Sequence, residues 1–440
     1  MDPSLLTAPR VFQITEHVLP CQHIREYPRA TATSQDETLH LAVKQYRPRD
    51  NLDPRPGDIS IIGAAANGFS KELYEPLWVE LHRALEQAGV AIRGIWIADA
   101  ANQGASFALN KEKIGDDPSW FDHSRDLIHL VNIFREQLPR PIIGLGHSMG
   151  ATELVQVSLA HPRLFHSVIL IEPILFSSFN LDDPSVKAAK FPPAVHAARR
   201  KETWPSRAVA AEEFQRSRFY KTWDPRVLDL HIQHGLCETT SETNEVTLAT
   251  PKAQEVFNYL RPTFVPPPPP PPPPGSGPSE SPQFADPSAL RDMPHALAQQ
   301  QSSRRSLFYR PETTITYTNL PHLRPATLFV FAAQSMFVSS ASDRARLVDR
   351  TGSGVGGSGG AAASRVHTVV VEKTTHLAPM ERPGSVAREC AGFILSEATR
   401  WVRGEETLRG EWRGRTGHER RELTAEFVRL LAVAEEKSKL

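Results

Sequence analysis

Pro141-Ile142-Ile143-Gly144-Leu145-Gly146-His147-Ser148-Met149-Gly150-Ala151-Thr152-Glu153-Leu154 decides the reading of this chain. Residues 141–145 are a short apolar run of buried-strand type, and the residues after Gly150 open a helical pattern that ends near His161-Pro162. Between them lies Gly-x-Ser-x-Gly. A strand, a tight turn and a helix are the setting in which that pentapeptide becomes a nucleophile elbow. The glycines have a physical reason to be there. The turn strains the serine backbone, and a Cβ on either flank would collide with the strand or the helix. The helix start also points free N–H groups at the serine, which favours negative charge beside it. Ser148 is therefore the candidate nucleophile.

Working outward, apolar runs and amphipathic helices alternate. Val11–Val18 and Glu37–Tyr46 read as early strands, Asp58–Gly63 and Ala91–Ala98 as buried ones, and Ser167–Ile171 as another. Lys71–Ala88 carries Leu73, Leu77, Leu81 and Leu85 at helical spacing, and Trp120–Gln137 is a second helix. Sheet pattern returns at Thr327–Ala333 and Arg365–Val371, followed by a helix over Gly384–Val402. This alternation predicts an α/β fold with a mostly parallel central sheet flanked by helices. Residues 1–175 and 323–402 then form two parts of one core. Residues 176–322 form a helical lid insertion, interrupted at about 263–300 by a proline-rich segment. Pro266–Pro274 is an unbroken proline run, which favours extended polyproline II and cannot join a sheet. Gly352–Ala363 is a second low-complexity loop, and 403–440 is a charged tail. That tail ends with one amphipathic pattern (Leu423, Phe427, Leu430, Leu431).

A serine hydroxyl needs a base within hydrogen-bond reach, and the base needs an orienting acid. In this arrangement the order along the chain is serine, acid, histidine. His376 follows the last strand and is the candidate base. The usual place for the acid is the loop after Thr327–Ala333, which has no early carboxylate; Asp343 is present but late. One strand earlier, Val168-Ile169-Leu170-Ile171-Glu172-Pro173 puts a carboxylate at a strand's C-terminal end, the edge where open α/β sheets carry their sites. Glu172 is preferred and Asp343 is the alternative. For an oxyanion, one donor is the N–H of Met149. The second comes from Ala64-Ala65-Ala66-Asn67-Gly68-Phe69-Ser70, with Phe69 first and Gly68 next.

Composition narrows the class. Lys+Arg and Asp+Glu are 50 each, so the net charge is zero and neither nucleic acid nor an anionic membrane is indicated. Cys21, Cys237 and Cys390 are far apart and read as free thiols. No stretch approaches a membrane span, and the N-terminus lacks a signal peptide's basic and apolar regions. His418-Glu419-Arg420-Arg421-Glu422 lacks the second histidine of a zinc helix, and the glycines of 354–360 do not follow a strand, so neither a metal nor a cofactor is expected. Ser438-Lys439-Leu440 reads as the address recognised by the peroxisomal import receptor.

With these residues in place, the chain resembles the α/β-hydrolase superfamily. Within it, it resembles fungal peroxisomal hydrolases of secondary metabolism, those of mycophenolic acid and host-selective toxin biosynthesis. Ala66-Asn67-Gly68-Phe69, Lys71-Glu72-Leu73-Tyr74-Glu75-Pro76-Leu77-Trp78, Gly146–Gly150, Ile171-Glu172-Pro173, Trp223-Asp224-Pro225-Arg226, Thr375-His376 and the terminal tripeptide carry the likeness. The resemblance implies hydrolysis of a bulky acyl-CoA thioester in the peroxisome matrix. It places an aspartate where this chain has Glu172. Two other classes stay open: a carboxylesterase or lipase using the same residues, and a non-catalytic binding protein on a hydrolase scaffold. Lys187, Lys190, Arg199, Arg200, Lys201, Arg207, Arg216, Arg218 and Lys221 make the insertion basic, which suits coenzyme A phosphates or a solvated helix face. Phe191, Trp204, Phe214 and Trp223 are candidates for an acyl pocket or for the insertion's own core.

Overall fold

The computed structural model describes residues 7–176, 192–239, 244–262 and 308–437. Eight strands make one sheet: β1 (Phe12–Pro20), β2 (His40–Pro48), β3 (Ile59–Ala64), β4 (Ile92–Ala98), β5 (Ile142–His147), β6 (Ser167–Ile171), β7 (Ala326–Gln334) and β8 (Val366–Thr375). Their spatial order is β1-β2-β4-β3-β5-β6-β7-β8. β2 runs antiparallel to both neighbours, and the pairings from β4 to β8 are parallel. Every strand expected from the sequence is present, with ends shifted by a few residues.

The strands read as unbroken apolar runs because both faces of the sheet are covered. Ile59 and Ile61 of β3, Ile169 and Ile171 of β6, and Leu328 and Val330 of β7 enter one apolar cluster. Ile62 and Ala64, Val168 and Leu170, and Phe329 and Phe331 enter the other. Helix α1 (Glu75–Gln87) seals the first face with Leu77, Trp78, Leu81 and Leu85. The amphipathic pattern begins earlier, at Lys71, but 71–74 is a 3-10 turn; Pro76, at the start of α1, suits a first helical turn. Helices α2 (Trp120–Ile133) and α3 (Met149–Ala160) cover the second face through Leu127, Leu130, Leu154 and Val155.

The segment between β6 and β7 contains α4 (Pro192–Arg199), α5 (Arg207–Arg216), α6 (Pro225–His234) and α7 (Lys252–Tyr259). It is not purely helical. Thr203–Trp204, Val246–Leu248 and Leu236–Glu238 form a three-stranded sheet, and Arg261–Pro262 pairs with Phe308–Tyr309. Trp204, Ala210, Phe214, Leu236, Val246 and Leu248 make a small core of its own. After β7 come α8 (Ala341–Arg350) and α9 (Pro383–Arg413), the latter longer than the sequence pattern indicated. From Glu406 to Ala432 every residue is exposed, including Leu423 just before α10 (Ala425–Lys437) and Phe427, Leu430 and Leu431 within it. The proline run and the terminal Ser438-Lys439-Leu440 lie outside the described residues. Among the described residues no helix is long and apolar enough to cross a membrane. Cys21, Cys237 and Cys390 are free.

Candidate active site

Ser148 sits between β5 and α3 at φ 56, ψ −115, a left-handed conformation that costs a non-glycine residue on the order of 1–3 kcal/mol. The strain is held by packing and by a hydrogen bond from its N–H to the Ile171 carbonyl at 2.9 Å. Both flanking glycines are required. A Cβ on Gly146 would lie 2.6 Å from the Gly150 carbonyl oxygen, and one on Gly150 would enter the backbone of Ala64. Ser148 Oγ lies 2.8 Å from His376 Nε2, and His376 Nδ1 lies 3.1 Å from Glu172 Oε2. The three side chains thus form one hydrogen-bonded line, with Glu172 fully buried behind His376.

Glu172 reaches this place by leaving the sheet. Its N–H still donates to the Val330 carbonyl, at 2.9 Å, and its φ of 48 then turns the chain away. The carboxylate takes over the next rung, where β6 has ended: Oε1 accepts the Ala332 N–H at 2.7 Å. Oε2 accepts the Ser335 hydroxyl at 2.6 Å as well as facing His376. Ser335 Oγ is itself fixed by the N–H of Val338 at 3.0 Å. A buried carboxylate is costly unless its oxygens are bonded, and here both are. The loop after β7, which lacks an early acid, therefore supplies the groups that hold the acid. Nothing in the pattern of single residues marks Ser335 for this role, because its partner is 163 positions away. Asp343 is not brought to the site. It lies in the first turn of α8, bonded to the Ser340 hydroxyl at 2.6 Å and paired with Arg346. Those two groups, Ser340 first, hold its carboxyl below the usual range.

Met149 opens α3, where a backbone N–H has no intrahelical carbonyl to meet. Phe69 N–H makes only a 3.2 Å turn bond to the Ala66 carbonyl. Gly68 N–H is taken by Gln103 Oε1 at 2.9 Å, so of the two loop donors Gly68 is the more firmly committed. Gln103 was not singled out by sequence, and Asn67 was quoted only as part of the loop, yet the two form its frame. Gln103 Nε2 and Asn258 Nδ2 donate to Asn67 Oδ1 at 2.9 and 3.1 Å, and Asn67 Nδ2 donates to the Glu255 carbonyl at 2.9 Å. Asn258 and Glu255 belong to α7, so the insertion is bonded directly to the loop.

Gly68, Phe69, Ser148, Met149 and His376 all line one cavity of about 830 Å³. Its other walls are largely apolar, with Trp120, Ile174, Phe176, Phe219, Trp223 and Phe337 among them. That size matches a drug-sized or larger organic group. Among the described residues, Asp50, His82 and Glu86 bring metal-ligand atoms within 4.8 Å of one another, but none of them lines this cavity.

Comparison with known proteins agrees with this fold. Residues 63–245 match the model of an alpha/beta hydrolase family. A protein named type I acyl-CoA thioesterase mpaH, from Penicillium roqueforti, is 34% identical over 433 residues, covering 92% of each chain. The chain belongs to the α/β-hydrolase family. A thioesterase of the same name from Penicillium brevicompactum is 35% identical over 417 residues, covering 90% of each chain. Among solved structures, the peroxisomal alpha-beta-hydrolase Lpx1 of Saccharomyces cerevisiae superposes with a TM-score of 0.65 over 97% of both chains, at 15% identity, a likeness of fold.

The hydrolase's insertion contributes less charge to the cavity than its composition implies. Of the described basic residues singled out there, Arg199 and Arg200 line the cavity, and Arg200 is paired with Glu255 at 2.5 Å. Lys201 pairs with Glu213 and Arg216 with Glu212, while Arg207 caps the carbonyls of Ile232 and Gln233. Lys187, Lys190 and Phe191 lie outside the described residues. Trp204 and Phe214 belong to the insertion's core, and Trp223 faces the cavity.

Proposed function

We propose that this hydrolase cleaves the thioester of a bulky acyl-CoA, with Ser148 as nucleophile, His376 as base and Glu172 as the acid that orients it. The observation that carries the chemistry is the unbroken line from Ser148 Oγ through His376 to Glu172, opening into an apolar cavity. The thioesterase names of relatives matching nine-tenths of the chain support the substrate class. His376 Nε2 takes the proton as Ser148 Oγ adds to the thioester carbonyl. Glu172 accepts from Nδ1–H and stabilises the imidazolium that forms. The oxyanion is met by the N–H groups of Met149 and Phe69, the latter giving up its long turn bond. Collapse breaks the C–S bond, and His376 returns the proton to the thiolate. Water, activated by the same histidine, then releases the acid from Ser148. The reading extends to the peroxisomal matrix on the strength of Ser438-Lys439-Leu440, and to a role in fungal secondary metabolism by the resemblance.

The test is thiol release from a panel of acyl-CoAs of increasing acyl bulk, with aryl esters alongside. Turnover that favours bulky acyl-CoAs supports the reading. Turnover of esters alone moves the protein to the carboxylesterases.

A further inference from the structure

The residue before the nucleophile is a histidine, and it is fully buried. His147 Nε2 lies 2.8 Å from the backbone carbonyl oxygen of His376. A carbonyl only accepts, so Nε2 carries the proton. Burial, more than the nearby His376, holds the His147 pKa down to about 3, so the ring is neutral and its Nδ1 is a bare acceptor. Nδ1 faces the Tyr74 hydroxyl at 2.9 Å, which therefore donates to it. The Tyr74 oxygen in turn accepts the N–H of Ala66 at 2.8 Å. Each donor and acceptor in this series has one consistent direction: Ala66 N–H to Tyr74 O–H to His147 Nδ1, and His147 Nε2–H to the His376 carbonyl.

The series joins the three loops that build the site. Ala66 precedes Asn67-Gly68-Phe69, His147 lies in the elbow, and His376 follows β8. We propose that Tyr74 and His147 act as one positioning relay that fixes the His376 backbone relative to the elbow and to the loop carrying the Phe69 N–H. The inference rests on the reading of Ser148 and His376 given above. Its physical basis is the steep dependence of catalysis on placement. A shift of about 1 Å in a reacting group costs up to about a hundredfold in rate, and the His376 ring hangs on a Cα whose own carbonyl is held by His147. Glu172 fixes the far side of the ring; the relay fixes its base. Tyr74 and His147 touch no substrate atom in this scheme. They are positioning residues.

The test uses the full-length protein and a fluorophosphonate, which phosphonylates an activated serine whatever the natural substrate. The inactivation rate and the apparent binding constant are measured separately for wild type, Tyr74→Phe, His147→Phe, His147→Gln and the Tyr74→Phe/His147→Phe double variant. Tyr74→Phe removes one oxygen and keeps the packing, so it reports even if His147→Phe folds poorly. The limiting rate should fall about tenfold or more in Tyr74→Phe and His147→Phe, with binding changed by less than about twofold. The double variant should be no slower than His147→Phe, because the two residues form one series. His147→Gln keeps an N–H for the His376 carbonyl and should recover most of the rate. Wild-type rates in both single variants, or losses that multiply in the double variant, overturn the relay. Absence of labelling in the wild type overturns instead the assignment of Ser148 as nucleophile.

Discussion

At the sheet edge, Ser148, Glu172 and His376 are held by backbone groups of neighbouring strands and by polar side chains with assigned partners. In the insertion above them, six buried apolar residues make a separate small core, and Lys201 and Arg216 pair with Glu213 and Glu212 on its surface. In the first region the polar atoms have partners from adjacent strands and loops, and helices cover the sheet on both faces. The second has a small core of its own and is tied to the first by Trp223 and Val227, which enter the main apolar cluster, by the Arg226–Glu80 and Arg261–Asp117 ion pairs, and by the hydrogen bonds that α7 makes to Asn67. Placement of the triad is therefore a property of the core, while the cavity is shaped by both regions, Trp120, Ile174 and Phe337 on one side and Phe219 and Trp223 of the insertion on the other. Related hydrolases with one edge and different insertions would share a mechanism and differ in the acyl group they accept.

That division can be broken by experiment. Glu172→Gln keeps the size of the side chain and, with its oxygen on the Ala332 N–H, turns an NH2 donor in place of an acceptor towards His376 Nδ1; kcat should fall roughly 10³–10⁴-fold with melting temperature nearly unchanged. A loss confined to KM would mean that Glu172 shapes the cavity and not the chemistry. Trp204→Ala removes the largest side chain of the insertion's core. It should cost about 3–5 kcal/mol within that unit, seen as faster proteolysis between α4 and α7 and a raised KM, while phosphonylation of Ser148 persists. Concerted unfolding with the sheet would show that the two regions are one cooperative unit.

Acid should act on both regions. Burial, the largest cause in each case, holds His123 down to about 4 and both His147 and His231 down to about 3. An unfolded histidine titrates near 6.5, so below that pH the unfolded chain binds protons that the folded one refuses. Stability present above about pH 6.5 is lost as pH falls, towards about 4 for His123 and about 3 for His147 and His231, at up to about 1.4 kcal/mol per pH unit for each ring. Two of these rings lie in the core and His231 lies in α6, so His231→Gln should flatten the acid sensitivity of the insertion and leave that of the core. The denaturation midpoint as a function of pH, followed with probes in each region, reads both slopes. The smallest effect belongs to the C-terminal arm: Phe427, half exposed, should tolerate Phe427→Ser within about 0.5 kcal/mol. A larger loss of thermal stability would show that the arm is packed in solution.

The edge was legible in the sequence because its signals are local. Gly146 and Gly150 bracket Ser148 as a strained turn requires, and the β3, β5, β6 and β7 runs are apolar on both sides as a doubly covered sheet requires. His376 follows from chain order. Glu172 followed from a carboxylate ending an apolar run, a position that needs a partner. The supports of Glu172 were not legible, since Ser335 and the Ala332 N–H meet it through a register set by the whole sheet. The same holds for Gln103 and Asn258, whose roles depend on where α7 docks. The insertion's short strands escaped notice because two- and three-residue pairings leave no periodicity, and its aromatic residues divide between core and cavity in a way that spacing alone does not determine.

The central claim is that the Ser148 hydroxyl is the group that attacks. Hydrolysis of a bulky acyl-CoA by wild type and Ser148→Ala, side by side with thermal unfolding of both, tests it most directly. The expected result is a loss of about 10³-fold or more in kcat with melting temperature preserved or slightly raised, since alanine removes only the hydroxyl. Turnover by Ser148→Ala equal to that of wild type would contradict the mechanism outright.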